Sequence, residues 1–359
     1  MTGGVRLRPT LAGVPTYQAG RPAPVIDGGT GYKISANENS YPPLPSVLRA
    51  VHEAAEHMNR YPDTNVARLR TALSEVLDVP VEHIAAGTGS VGVLGQIVQA
   101  TCDPGDEVVH AWRSFEAYPI VAALAGARSI RVALDGAARH DLDAMAQAVT
   151  DRTRVIMLCT PNNPTGPAIG HEELVAFLGR IPSDVLVVLD EAYLEFVTDP
   201  EAADGLALYR DRPNVAVLRT FSKAHGLAGL RVGYAVAHEP VAAALRTTAT
   251  SFGVNALAER AAVASLEARD ELQERVDAVI AERTRMATAL SAAGWHVPDA
   301  QGNFVWLPTG ARSGAFAAQA AEAGLTVRPF GDEGVRITIG EVEANDRVLA
   351  VARGWIHYD

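Results

Sequence analysis

The stretch RTFSKAHGLAGLRVGY, Arg219 to Tyr234, sets a lysine between two runs that read as strands, NVAVL before it and RVGYAVA after it. Lys223 follows the small polar residues Thr220 and Ser222, and Arg231 comes eight residues later, across a glycine-rich turn. A loop lysine on its own is most often a solvated cation. A lysine amine can also form a Schiff base with an aldehyde, and a crowded cationic setting favours the neutral form that this requires. Arg231, with Thr220 and Ser222, has the donors to hold a phosphate nearby.

Outward from this loop the chain alternates. Short apolar runs rich in β-formers (EVVHAW, VIMLCT, DVLVVLD, NVAVLRT) are separated by helical patterns such as DLDAMAQAVT and HEELVAFLGRI. That order predicts an α/β fold with a mainly parallel central sheet and helices on both faces. Ala256 to Ala293, without Pro or Gly, reads as one long helical stretch. NFVWLP, LTVRPF and VRITIG then read as antiparallel strands of a smaller α+β unit. The expected division is an N-terminal arm over residues 1–45, a large domain over 46–250 and a small C-terminal domain over 251–359.

Polar residues gather where the predicted strands end. Strands run directly into RSFEAY, PNNPTG, DEAY and TFSK, and ligands of open α/β sheets bind beyond such carboxyl ends. The turn Gly87-Thr-Gly-Ser90 opens an apolar helical run, so its backbone N–H groups can hold a phosphate or simply cap the helix. It lacks the Gly-Lys-Ser/Thr of a Walker loop and the G-x-G-x-x-G spacing of a dinucleotide fingerprint. Asp190 ends a strongly apolar run; it is either a helix cap or a carboxylate that needs a cation, such as a pyridinium nitrogen.

Composition narrows the classes. A net charge of −11 without a basic stripe argues against a nucleic-acid partner. No apolar run is long enough to span a membrane, and MTGGVRLRPTLAGVP lacks the apolar core of a secretory signal, so a cytoplasmic enzyme is expected. Two distant cysteines make neither a disulfide framework nor a zinc site, and no metal is expected.

Seven motifs in order make the reading specific: NEN at 37–39, RYPD at 60–63, GTGS at 87–90, NNPTG at 162–166, DEAY at 190–193, the lysine segment, and VRITIG at 335–340. The lysine segment resembles the S-K-x-x-x-L-x-G-x-R-x-G signature of fold-type I pyridoxal-phosphate aminotransferases. Within them the chain resembles the histidinol-phosphate and aromatic amino acid aminotransferases, the actinobacterial aromatic enzymes most of all. The resemblance implies that Lys223 carries pyridoxal 5′-phosphate and moves the substrate proton. Asp190 would pair with the pyridine nitrogen, Tyr193 and Asn163 with the phenolic oxygen, and Phe115 would stack on the ring. Gly89, Ser90, Thr220, Ser222 and Arg231 would cradle the phosphate, joined by Tyr61 from a partner subunit, which implies a homodimer. Arg336 would clamp the substrate carboxylate and Arg328 could meet a second anionic group. Tyr17 and Asn39 are candidates for the pocket wall.

The expected reaction is transamination of phenylalanine, tyrosine or tryptophan with 2-oxoglutarate, by ping-pong kinetics. Histidinol phosphate is the alternative donor. Ser90-Val91-Gly92 stands where histidinol-phosphate enzymes usually carry an acidic pair, and WRSFEAYP and PLPSV favour the aromatic group. NEN favours the other. YQAG at 17–20 and His225 depart from the usual pattern, and no role is assigned to His225. Arg336 argues against α-decarboxylation on the same fold, because a carboxylate held in the ring plane favours breaking the C–H bond.

Overall fold

The computed structural model describes residues 21–355 except 27 and 28, together with residues 5, 7, 8, 11, 13, 14 and 16. Its strands, in chain order, are β1 (Tyr32–Lys33), β2 (Ile84–Gly87), β3 (Glu107–Trp112), β4 (Arg128–Ala133), β5 (Thr153–Cys159), β6 (Leu186–Asp190), β7 (Val215–Thr220), β8 (Gly233–Val236), β9 (Phe304–Leu307), β10 (Leu325–Thr326), β11 (Arg328–Phe330) and β12 (Gly334–Thr338).

Seven strands form the central sheet in the order β2-β8-β7-β6-β5-β3-β4. All its pairings are parallel except those of β8, which runs antiparallel to both neighbours. The middle strands are apolar almost without interruption because both faces are covered. Side chains alternate between the faces. Ile156, Leu158, Val187, Leu189 and Val217 enter one core, whereas Val155, Met157, Val188, Ala216 and Leu218 enter another. Between β7 and β8 there is no crossover helix, so the chain reverses and returns antiparallel. That reversal is the lysine loop, and it brings Arg231 back beside Ser222.

A third core holds the antiparallel sheet β11-β12-β9 and the helices Arg269–Ala292, Ser313–Glu322 and Val342–Trp355. β1 pairs with β10, so the N-terminal segment is stitched to this unit. The long helical stretch expected over Ala256 to Ala293 is two helices, Ala256–Glu267 and Arg269–Ala292, broken at Ala268 (φ −91°, ψ 43°). Packing explains the break. Ala258, Ala261 and Ala262 of the first helix sit in the core of the large sheet, whereas Val276, Val279, Met286 and Leu290 of the second belong to the third core. One straight helix could not bury both stripes. LTVRPF likewise splits, with β10 serving the N-terminal strand and β11 the small sheet.

Candidate active site

Parallel strands aim their carboxyl ends at one rim, and the polar loops collect there. A cavity of about 210 Å³ opens at that rim, lined by Lys223, Asp190, Tyr193, Asn163, Phe115 and Arg336 among others. Ser90, Thr220, Ser222 and Arg231 line it as well. The loops after β2, β3, β5, β6 and β7 therefore converge, as the strand directions require.

Asp190, the last residue of β6, is buried. Its Oδ2 accepts a hydrogen bond from the Tyr118 hydroxyl at 2.8 Å, and its Oδ1 has no partner among the described residues. Burial pushes the carboxyl up to about 6, offset in part by the Tyr118 hydroxyl and the Ala192 N–H. Lys223 reaches from the β7–β8 loop and donates to the Ala36 carbonyl at 3.3 Å. Burial first, then the nearby Arg336 guanidinium, lowers its amine to about 7. A substantial neutral fraction at neutral pH makes this amine a usable nucleophile and base.

Tyr193 is buried and its hydroxyl accepts from Asn37 Nδ2 at 2.9 Å; burial raises its phenol well above the ordinary value. Asn163 and Arg336 meet directly, Arg336 Nη1 donating to Asn163 Oδ1 at 2.6 Å, while Arg336 Nη2 donates to the Ser35 carbonyl at 2.5 Å. The guanidinium is thus aimed from β12 across the cavity toward the large sheet.

The opposite end is an anion cradle. The helix Gly89–Thr101 begins at the rim and presents its first N–H groups there. Arg231 adopts a left-handed backbone (φ 60°), which points its side chain at that N-terminus. A Cβ on Gly89 would lie 2.3 Å from Arg231 Nη2, so only glycine admits the guanidinium. Thr220 Oγ1 donates to Ser222 Oγ at 3.0 Å and Arg231 Nη1 reaches Ser222 Oγ at 3.4 Å, which draws three donors together.

Other expected residues lie elsewhere. Tyr61 is 83% exposed and stacks on Phe252 with centroids 4.5 Å apart, away from this cavity. Arg328 sits opposite Arg336 in the β11–β12 register and is ion-paired with Glu116 at 2.7 Å. Asn39 lines an adjoining cleft and holds the Ala224 carbonyl at 2.9 Å, next to the lysine. Tyr17 lies outside the described residues. His225 packs its ring on Phe221 and bonds Ser265 Oγ through Nδ1 at 2.7 Å; burial lowers it to about 4, so it is a neutral brace.

Two further residues of these motifs take part in the site. Asn37 is the first residue of NEN, held at φ 53° with its N–H on Thr338 Oγ1. Tyr118 ends RSFEAY; it lies in the first turn of the helix Ala117–Ala125, and its ring stands edge-on to that of Phe115 at 5.7 Å.

Residues 30–351 match the sequence profile of the family described as aminotransferase class I and II. The chain belongs to that family. It is 59% identical over 347 residues to an aromatic amino acid aminotransferase of Streptomyces coelicolor, covering 97% of this chain and 96% of the relative. An aromatic amino acid aminotransferase of Streptomyces avermitilis is 60% identical, with 96% of each chain covered. Among solved structures, a histidinol-phosphate aminotransferase from Sinorhizobium meliloti in complex with pyridoxal-5′-phosphate superposes with a TM-score of 0.87. It is 29% identical, with 99% of each chain covered. The chain is accordingly an aminotransferase of fold-type I, and no helix among its described residues is long and apolar enough to cross a membrane.

Proposed function

We propose that this aminotransferase uses pyridoxal 5′-phosphate to transaminate aromatic L-amino acids with 2-oxoglutarate, as a cytoplasmic homodimer. The observation that carries the cofactor is the unpartnered Oδ1 of buried Asp190 on the cavity wall. A buried carboxylate oxygen without a donor is costly, and a protonated ring nitrogen removes that cost. The rest of the wall fits the same molecule in kind. Tyr193 and Asn163 offer groups for a phenolic oxygen, Phe115 an aromatic face, and Lys223 an amine for the aldehyde. Gly89, Ser90, Thr220, Ser222 and Arg231 would hold the phosphate, completed by Tyr61 of the partner subunit. That last assignment is supported by the large aromatic surface that Tyr61 and Phe252 leave exposed.

Bound pyridoxal phosphate would supply the electron sink for the pair left at the substrate Cα. Lys223, neutral in part near pH 7, would take the substrate Cα proton at Nζ and give it back. Arg336, anchored by Asn163 and Ser35, turns the α-carboxylate so that the C–H bond is the one exposed to Lys223. Asp190 would hold a proton at the ring nitrogen.

For the substrate, support comes from the names of the Streptomyces relatives and from the apolar residues Ala36, Val91, Phe115, Ala192 and Ala228 on the wall. Histidinol phosphate is the second reading, favoured by the name of the Sinorhizobium meliloti neighbour, at half the identity. Initial rates with 2-oxoglutarate separate the two. Phenylalanine and tyrosine should turn over much faster than histidinol phosphate, with parallel double-reciprocal lines; the reverse ranking overturns the proposal.

A further inference from the structure

Tyr118 is a fully buried phenol with a hydroxyl that serves no packing purpose. It lies in the helix Ala117–Ala125, and its ring stands edge-on to Phe115 and His110 at 5.7 Å from each. Packing alone would be met by phenylalanine. Its hydroxyl instead donates to Asp190 Oδ2 at 2.8 Å, across 72 residues of sequence. The other carboxylate oxygen lacks a partner among the described residues, and Asp190 lines the cavity. The carboxylate is thus asymmetric, with one oxygen hydrogen-bonded by the protein and the other buried without a partner among the described residues.

We propose that Tyr118 is the positioning residue for Asp190, fixing its orientation through Oδ2 and keeping the proton shared at Oδ1 on the cofactor's ring nitrogen. The inference rests on the cofactor reading above. Its logic is a balance between two acceptors. A carboxylate facing a pyridine nitrogen shares one proton with it, and the pair exists either as carboxylate and pyridinium or as carboxylic acid and neutral pyridine. Burial favours the neutral pair, since it makes Asp190 more basic than an ordinary aspartate. Glu191, next in the chain, pushes the same way, and Lys223 pushes weakly against it. Cys159, Asp190's register partner on β5, faces Tyr118 as well and is kept a neutral thiol by burial. A hydroxyl donated to Oδ2 stabilises the carboxylate and tips the balance to the ion pair, the form that withdraws electrons. No other bond is made or broken.

The test uses the holoenzyme loaded with pyridoxal phosphate carrying ¹⁵N in the ring. In the wild type the ring nitrogen should give the signal of a protonated pyridine. In Tyr118→Phe, which removes one oxygen and keeps the ring, it should move toward the unprotonated signal. Affinity for pyridoxal phosphate in equilibrium dialysis should fall about tenfold. kcat should fall with it, while KM for the amino acid stays within about twofold. In an Asp190→Asn background the same substitution should change cofactor affinity no further, because the acceptor charge is gone. A ring-nitrogen signal identical in wild type and Tyr118→Phe overturns the proposal, as does an undiminished effect in the Asp190→Asn background. If Tyr118→Phe does not fold, wild-type protein labelled with ¹³C at Cζ of Tyr118 alone answers the same question. That resonance should shift on loading with pyridoxal phosphate, and a stationary one overturns the proposal. A wild-type chain that takes up no pyridoxal phosphate overturns the functional reading and this one together. A loaded wild type matched by its variant overturns this one alone.

Discussion

Asp190 and Glu191 are neighbours in sequence, both buried, both pushed toward the neutral acid by loss of water, and they serve opposite ends. Glu191 is closed on every side. Arg219 grips Oε2 through Nε at 2.9 Å and Nη2 at 2.8 Å, and the Gly205 N–H donates to Oε1 at 3.1 Å. A Cβ on Gly205 would lie 2.2 Å from that oxygen, so the backbone itself has been cleared for it. Asp190 takes the Tyr118 phenol on Oδ2, and its Oδ1 has no partner among the described residues. A buried carboxylate with a protein cation ties β6 to β7; on the proposed function, the one with an unpartnered oxygen would hold the cofactor. Burial does not separate structural from functional carboxylates here. The completeness of their hydrogen bonding does.

Paired substitutions put that contrast at risk. Asp190→Asn should lower kcat about a thousandfold while the protein still folds; a drop under tenfold in steady-state assays would erase the distinction. Glu191→Gln should act on the fold. It strands the Arg219 charge and should cost about 3 kcal/mol in denaturant unfolding, with kcat of the folded enzyme within a few-fold of wild type. The two arginines that face each other in β11 and β12 extend the comparison. Arg336→Lys should reduce kcat/KM about a hundredfold by losing its forked hold, whereas Arg328→Lys, already satisfied by Glu116, should change it about threefold. Lys223 gives a pH test. Its amine must be neutral to meet an aldehyde, so capture of pyridoxal phosphate by the cofactor-free protein should rise about tenfold from pH 6 to pH 8 in stopped flow, around the value of about 7 set by burial and Arg336.

On stability the Asp190 effect is smaller than that of Glu191→Gln and opposite in sign. The folded Asp190 carboxyl, at about 6, lies above its unfolded value of 3.8. The folded state therefore binds the extra proton between those values, and stability from this group falls as pH rises through about 6. At pH 8 the cofactor-free Asp190→Asn protein should be about 2 kcal/mol more stable than wild type in urea unfolding, the opposite of Glu191→Gln. Equal signs for the two variants would refute the division of labour.

Much of this was legible in the chain. The apolar runs and their polar ends announce a parallel sheet with its functional rim, because strand burial and strand direction are written in local pattern. Lys223, Asp190, Tyr193, Asn163, Phe115, Arg231 and Arg336 meet at one cavity as their motifs implied. Tyr118 and Asn37 went unassigned, since a hydrogen bond between side chains 72 or 156 residues apart leaves no local mark. The break at Ala268 was equally silent. Alanine is a strong helix former, and only the demands of two separate cores interrupt the helix there. His225 shows the same limit. It lies two residues from the lysine, but its neutral state comes from burial, which only folding supplies.

Sequence by itself determined the fold class, the family, the lysine and the set of charged residues around it, because chemistry of this kind needs particular side chains at strand ends. Tertiary structure decided which of those charges remain open. Glu191 and Arg328 found partners within the protein, Asp190 kept an oxygen for the cavity, and Arg336 was aimed there from a different sheet. Whether a buried charge is satisfied depends on atoms brought close from distant parts of the chain, and so it belongs to the fold.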